Sequence, residues 1–282
     1  MGIRIVTDST CDLSRQLVER YHLEVAPLIV NFGEESYLDG EDLTSEDFFK
    51  KLRDSEDLPF TSQVNPARFE EMFQKILDDG DDVIGVFIAA TFSGTYNSAV
   101  IARSNFPEAL QDRIHLVDSQ TSTVQMGLIV MEASKMAMEG ADVDAVLARI
   151  DYCIENSKII LMMDTLAYLS KGGRLSAGQA MIGNLLNVKP ILTVEGAEIV
   201  TVDKVRGRKR GLKWVVDWVR THEINTGTQP FVMVHGDDLE NLDALKEQFG
   251  DLYHEMPDYE LCIGGVIGTH LGPGCVGVAY ID

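Results

Sequence analysis

With 282 residues, of which 45% are hydrophobic and 24% charged, the chain has a globular composition and the length of two domains rather than one. Its formal net charge of -21 at pH 7 repels nucleic acid and anionic membrane at long range, which excludes a general affinity for either. No apolar run approaches the roughly 18 residues of a membrane span. The opening MGIRIVTDST enters a strand pattern with no signal-peptide pattern, so a cytoplasmic protein without integral membrane contact is expected.

The first half alternates strands and helices. A strand at IRIVTDS precedes a helix at LSRQLVERYH, and a strand at LEVAPLIVNF precedes helices at SEDFFKKLRD and PARFEEMFQKILDDG. The strand VIGVFIAA, a helix from about Ser98 and the strand IHLVDS follow. Such alternation predicts a parallel sheet with helices on both faces, a three-layer α/β domain over residues 1–160. Binding groups in such sheets collect at the carboxyl ends of strands. Here those ends carry Thr7, Asp8 and Ser9, then Ser93 and Thr95, then Asp118 and Ser119, and with FTSQVN they are expected to rim one polar crevice.

From about residue 160 the pattern changes. The helical stretch DTLAYLSKGGRLSAGQAMIGNLLN leads to KPILTV, AEIVTVDKVRG, a helix ending near His222, PFVMVHG and a helix at NLDALKEQFG. DLYHEMP, the strand-like VIGTHLGPG and CVGVAYI close the chain. Hairpin-like pairs with two helices predict a mixed sheet covered on one side, a two-layer α/β domain over residues 161–282.

Several segments carry chemistry. In TFSGTYNSA a nucleophile elbow would need G-x-S-x-G around Ser93, yet Thr91 stands where the first glycine belongs. Ser93 therefore reads as a cap of the following helix, with Gly94 giving the turn, or as a hydroxyl added to an anion site. A strand end running into a helix N-terminus favours a carboxylate or phosphate there. Neither P-loop nor dinucleotide spacing occurs, so no resident nucleotide or other cofactor is expected. His270, beside the rigid turn Gly272, Pro273 and Gly274, is either structural or an imidazole whose direction that turn fixes.

HGDD at 235–238 reads as a turn ahead of a metal site, and Cys11, Cys153, Cys262 and Cys275 lack CxxC spacing, so reduced thiols and no metal are expected. LSKGGRLS sets Lys171 and Arg174 around two glycines, either as a solvated turn or as a working one. In the next segment Gly178, Ala180 and Gly183 leave room beside the backbone, for close helix packing or for an apolar tail bordered by Met181, Leu185 and Leu186. KVRGRKRGLK gathers Lys204, Arg206, Arg208, Lys209, Arg210 and Lys213 with no acid among them, an island of opposite sign on an acidic protein.

Taken in order across nearly the whole chain, VTDSTCDL, TSQVNP, TFSGTYNSA, VDSQTST, LAYLSKGGRLS, NVKPIL and VIGTHLGPG resemble the DegV family of bacterial proteins. The resemblance implies two domains that hold a long-chain fatty acid. It further implies a fatty-acid-binding protein that presents the acyl carboxylate to a separate ATP-binding fatty acid kinase subunit, which makes an acyl phosphate for phospholipid synthesis. Carried over residue by residue, the carboxylate-binding groups fall on Thr61, Ser62, Ser93 and His270. Arg174 of KGGR, with Arg206 and Arg210 of the basic run, would face the partner or its phosphate. The family often has a second threonine and a proline in TSQVNP; Ser62 keeps a hydroxyl, while Val64 in place of the proline is expected to loosen the loop. Two rival readings remain: a lipid carrier without a kinase partner, and a serine hydrolase using Ser93 with His270.

Overall fold

The computed structural model describes residues 2–175, 187–224, 229–255 and 259–282, with backbone alone over 253–255. Along the chain come β1 (Ile3–Asp8), α1 (Arg15–Arg20), β2 (Glu24–Ala26), β3 (Ile29–Phe32), β4 (Glu35–Leu38), α2 (Ser45–Asp54), β5 (Phe60–Ser62) and α3 (Pro66–Asp78). Next are β6 (Asp82–Phe87), α4 (Thr95–Ser104), α5 (Glu108–Gln111), β7 (Ile114–Asp118), α6 (Thr123–Met138), α7 (Val143–Asn156), β8 (Ser157–Met162) and α8 (Ala167–Lys171). The last are β9 (Val188–Glu195), β10 (Glu198–Arg206), α9 (Arg208–Thr221), β11 (Phe231–His235), α10 (Leu239–Phe249), β12 (Glu260–Cys262), α11 (Gly265–Leu271) and β13 (Val276–Ile281).

Helix starts follow side-chain capping. Ser14, Thr44, Asn65, Asp142 and Asp238 each accept a first-turn N–H of the helix they precede, and Pro66 occupies the first helical position of α3, where its missing donor costs nothing. Three sheets result. The first is parallel, in the order β2-β1-β6-β7, with Ile3 opposite Asp82 and Ile84 opposite His115. Burial on both faces makes β6 apolar almost without interruption, the mark of a covered parallel sheet. The second sheet is mixed, in the order β10-β9-β8-β13-β11-β12, with only the β11–β12 pair parallel. An α/β fold with a parallel and a mixed sheet is therefore present as expected. Strand β8 spans residue 160 and belongs whole to the mixed sheet.

Two segments differ from the sequence expectation. LEVAPLIVNF is not one strand: Pro27 has no N–H for a ladder, and the chain breaks there. β2 stays in the parallel sheet, whereas β3 pairs antiparallel with both β4 and β5 in a third sheet, where Val30 faces Thr61. VIGTHLGPG is not strand-like either but forms helix α11, so His270 lies within a helix rather than after a strand. The β-branched run misleads because six of the seven helical residues are buried, and burial satisfies apolar residues in either backbone.

Residues 123–156, for which the pattern predicted no element, form α6 and α7. Helix α6 is largely apolar, with 11 of its 16 residues buried. Such a helix needs apolar partners on every side. It has them, packing on β1 and β6 of the parallel sheet and on β8, β11 and β13 of the mixed sheet. One contiguous core thus runs from Val6 and Val86 through Leu128 to Leu161 and Val234, binding the two sheets into one body. No helix among the described residues is long and apolar enough to cross a membrane.

Candidate carboxylate and acyl-chain site

A cavity opens where the three sheets and α11 meet. Its walls are mostly apolar: Ile88 follows β6, Ile159 and Leu161 come from β8, Leu192 from β9, Ile199 from β10 and Ile267 from α11, with Ser122, Thr123 and Thr193 among them. At one end the lining turns polar, with Thr61, Gln63, Ser93, Arg174 and His270. An apolar chamber closed by a few convergent polar groups is the form of a site for an amphiphile.

Three backbone devices build the polar end. Thr61 projects from β5, and its hydroxyl lies 3.0 Å from His270 Nε2 in the last turn of α11. Ser93 sits in the turn between β6 and α4. Its Oγ lies 2.9 Å from Thr95 Oγ1 and accepts the Thr95 N–H at 3.3 Å. Gly94, not Ser93, is the cap of α4, so the serine hydroxyl borders the cavity instead of closing the helix. Arg174 follows α8. It donates through Nη1 to the Gly172 carbonyl at 2.6 Å and through Nε to the Phe92 carbonyl at 3.3 Å, next door to Ser93. The guanidinium is exposed at the cavity mouth.

The imidazole is neutral at pH 7. Burial disfavours its charged form and the nearby Arg174 adds to this, lowering the His270 pKa to about 4. Its Nδ1 is buried without a hydrogen-bond partner, packed so closely on Gly172 that a Cβ there would stand 2.5 Å from it. Placing the imidazole proton on Nε2, where a partner stands, avoids an unpaired buried N–H at Nδ1; in that tautomer Nε2 donates to Thr61 Oγ1 and the threonine proton is free to point into the cavity. This arrangement lacks the parts of a hydrolytic triad. Among the described residues Ser93 bonds to Thr95 rather than to the imidazole, no carboxylate orients Nδ1, and a base with a pKa near 4 is weak.

The other expected positions divide. Ser62 lies one residue beyond Thr61 on β5, so strand alternation turns it to the opposite face, where its Oγ accepts from Asn31 Nδ2 at 3.2 Å. Arg206 ends β10 and Arg210 lies in the first turn of α9; both are exposed, and neither lines the cavity. Met181 and Leu185 lie outside the described residues. Thr7, Asp8, Ser9, Asp118 and Ser119 do not line the crevice as expected. Asp118 accepts the Ala90 and Gln120 N–H groups, and Ser119 donates to the Thr121 carbonyl, so this strand end organises loops. HGDD forms a turn in which Asp238 caps α10 and Asp237 pairs with Arg53. No group of three metal-ligating side chains converges among the described residues.

Sequence reasoning had Gln63 only within the rim segment FTSQVN without singling it out, and it missed Thr123 and every apolar wall residue named above. Gln63 carried a signal, standing two residues past Thr61 on the same face of an extended run. The wall residues are ordinary strand hydrophobics.

Comparison with known proteins agrees with this geometry. A family model described as "Uncharacterised protein, DegV family" matches residues 2–282. The chain belongs to the DegV family. A DegV domain-containing protein of Caldanaerobacter subterraneus is 37% identical over 278 residues, covering 99% of this chain and 98% of its own. Among solved structures, a DegV family protein from Thermus thermophilus, named for its fatty acid binding, superimposes with a TM-score of 0.90 at 30% identity over 100% of both chains. DegV from Bacillus subtilis, named a fatty acid binding protein, gives 0.89 at 28% identity, again over 100% of both chains.

Proposed function

We propose that this protein binds a long-chain fatty acid, with the acyl tail in the apolar chamber and the carboxylate at Thr61, Ser93 and His270. It then presents that carboxylate to a separate ATP-dependent fatty acid kinase subunit. The observation that carries the reading is the junction itself, where an apolar chamber ends in two hydroxyls and a neutral imidazole beneath an exposed guanidinium. The fatty-acid-binding DegV proteins of Thermus thermophilus and Bacillus subtilis support it.

The energetics fit a retained ligand. About 15 methylenes at roughly 0.8 kcal/mol each offer on the order of 12 kcal/mol before ordering and association costs. Neutral donors at the head satisfy a carboxylate removed from water without neutralising it. That matters for the onward step. In acyl phosphate formation a carboxylate oxygen bonds to the γ-phosphorus of ATP, the bond from that phosphorus to the bridging oxygen breaks, and ADP leaves. The nucleophile must therefore stay anionic, and hydroxyl donors leave it so. Arg174 stands where transferred phosphate charge would gather, while Arg206 and Arg210 would dock the partner.

Native mass spectrometry of the purified protein, with solvent extraction of what it releases, tests the first part. A stoichiometric fatty acid is expected; an empty protein that also refuses added palmitate or oleate overturns the reading. Charge reversal at Arg174 tests the second. Acyl phosphate production with a kinase subunit is expected to cease while lipid stays bound; unchanged production by the variant would remove Arg174 from the transfer, and no production by wild type would leave a lipid carrier without a kinase partner.

A further inference from the structure

The motif VTDSTCDL supplies Asp8 and Asp12, which Asp39 joins just after β4, and none of the three lines the cavity. Asp8, Asp12 and Asp39 have 0%, 6% and 4% exposure, and no cation pairs with them among the described residues. Carboxylates so placed are costly unless fully hydrogen-bonded, so their partners reveal what they hold in position.

Asp39 Oδ1 accepts the Gly265 N–H at 2.8 Å, and the Ser9 hydroxyl and the Val266 N–H lie close enough to favour its charged form. Asp12 Oδ1 accepts the Gly264 N–H at 2.8 Å, while its Oδ2 accepts the Thr123 hydroxyl at 2.6 Å. Two successive N–H groups at the start of α11 thus end on two buried carboxylates. The glycines make this approach possible, since a Cβ at 264 would stand 3.0 Å from Asp12 and one at 265 would stand 3.1 Å from Asp39. On the opposite wall, Asp8 Oδ2 accepts the Ile88 N–H at 2.9 Å where β6 runs out toward Ser93, and its Oδ1 is held by Thr10.

Helix α11 is under two turns long, about 10 Å from end to end. His270 lies in its last turn, so any shift or tilt at its first turn is delivered to the imidazole. We infer that Asp12 and Asp39 are positioning residues of the carboxylate anchor, fixing the first turn of α11 so that His270 meets Thr61, while Asp8 fixes the loop that carries Ser93. Neither carboxylate touches ligand. Together they form a brace between the two halves of the anchor, which is why acids from the first strand end are buried behind it. This rests on the fatty-acid reading above, and it names what makes that site selective for a carboxylate head.

Palmitate and hexadecanol, equal in tail and different in head, separate positioning from general destabilisation. Affinities are measured on the full chain for wild type, Asp39→Asn, His270→Ala and the double variant, together with the proton resonance of His270 Nε2–H. Asp39→Asn is expected to weaken palmitate at least tenfold and hexadecanol less than twofold, to add nothing in the His270→Ala background, and to broaden the Nε2–H resonance by solvent exchange. Equal losses for both ligands, an undiminished loss without His270, or an unaltered resonance would each overturn the inference. Should Asp39→Asn not fold, Ser9→Ala removes a hydroxyl that favours the charge of the same carboxylate and is expected to give the same selective loss, several-fold in size. A wild type that binds no palmitate would sink the fatty-acid reading alone, because the resonance is read on the ligand-free protein.

Discussion

The two ends of the cavity are built on opposite principles. The head gathers Thr61, Ser93, Arg174 and His270 from four separated segments and aligns each by hydrogen bonds to backbone or neighbouring side chains. The tail chamber uses alternate residues of adjacent strands, Ile159 and Leu161 on β8 and Leu192 on β9, placed by sheet register alone. The head therefore sets which chemical group is accepted, and the chamber sets how tightly. Head contacts number a few and are directional; tail contacts are many, weak and proportional to area.

If that division of labour holds, ligand length should have the largest effect. Removing four methylenes, from palmitate to laurate, forfeits about 3 kcal/mol, or about 200-fold in affinity. Competition binding across a homologous series measures the slope, and equal affinities would mean that the tail is not enclosed. Next in size is the head. Ser93→Ala or Thr61→Val deletes one hydrogen bond to a charged group, about 1.5–3 kcal/mol, so palmitate should weaken roughly 10- to 150-fold. Hexadecanol, which carries no charge, should change far less. A nucleophilic Ser93 would give the opposite result, full affinity with lost turnover.

The head also has an acid–base signature that the chamber lacks. Asp8 and Asp39, raised by burial to about 6, take up protons in the folded protein before the unfolded chain does, so their contribution to stability grows as pH falls from about 7 toward 4. His270 runs the other way. Its folded value near 4 lies below the ordinary 6.5, so the stability it contributes is present above pH 6.5 and is lost as pH falls through 4. Urea unfolding of the ligand-free protein at pH 7 and pH 5 separates the two. His270→Gln should gain on wild type by on the order of 2 kcal/mol at the lower pH. A constant difference between the two proteins would mean that the imidazole is not held neutral.

Legibility in the sequence follows the same division. Ser93, Arg174 and His270 could be singled out because polar groups beside glycine turns between apolar runs stand out, whereas Thr61 received its role from the family resemblance; the α/β alternation announced the parallel sheet. Chamber residues could not, since Leu192 facing the cavity and Ile191 facing the other core cluster look identical until register assigns a face. The helical state of α11 was hidden for a different reason. Its first turn depends on Asp12 and Asp39, which lie more than 220 residues away along the chain, and no local pattern carries that information. Strand alternation was the signal available for Ser62 and was outweighed by its position in the motif.

Ser62 and Thr61 are adjacent hydroxyls on one short strand, and they offer the smallest and most discriminating test of the head. A resemblance between motifs treats them alike; the pleat does not. The Thr61 hydroxyl meets the imidazole at the cavity, whereas Ser62 accepts from Asn31, whose Oδ1 in turn accepts the Ser36 hydroxyl at 2.7 Å within the three-stranded sheet. Ser62→Ala should therefore alter palmitate affinity by less than about twofold while costing about 0.5–1.5 kcal/mol of stability, the worth of one neutral hydrogen bond. Paired titration and unfolding measurements read both quantities. A loss of affinity as large as that of Thr61→Val would mean that β5 turns its other face to the ligand, and the register of Val30 with Thr61 would have to be abandoned.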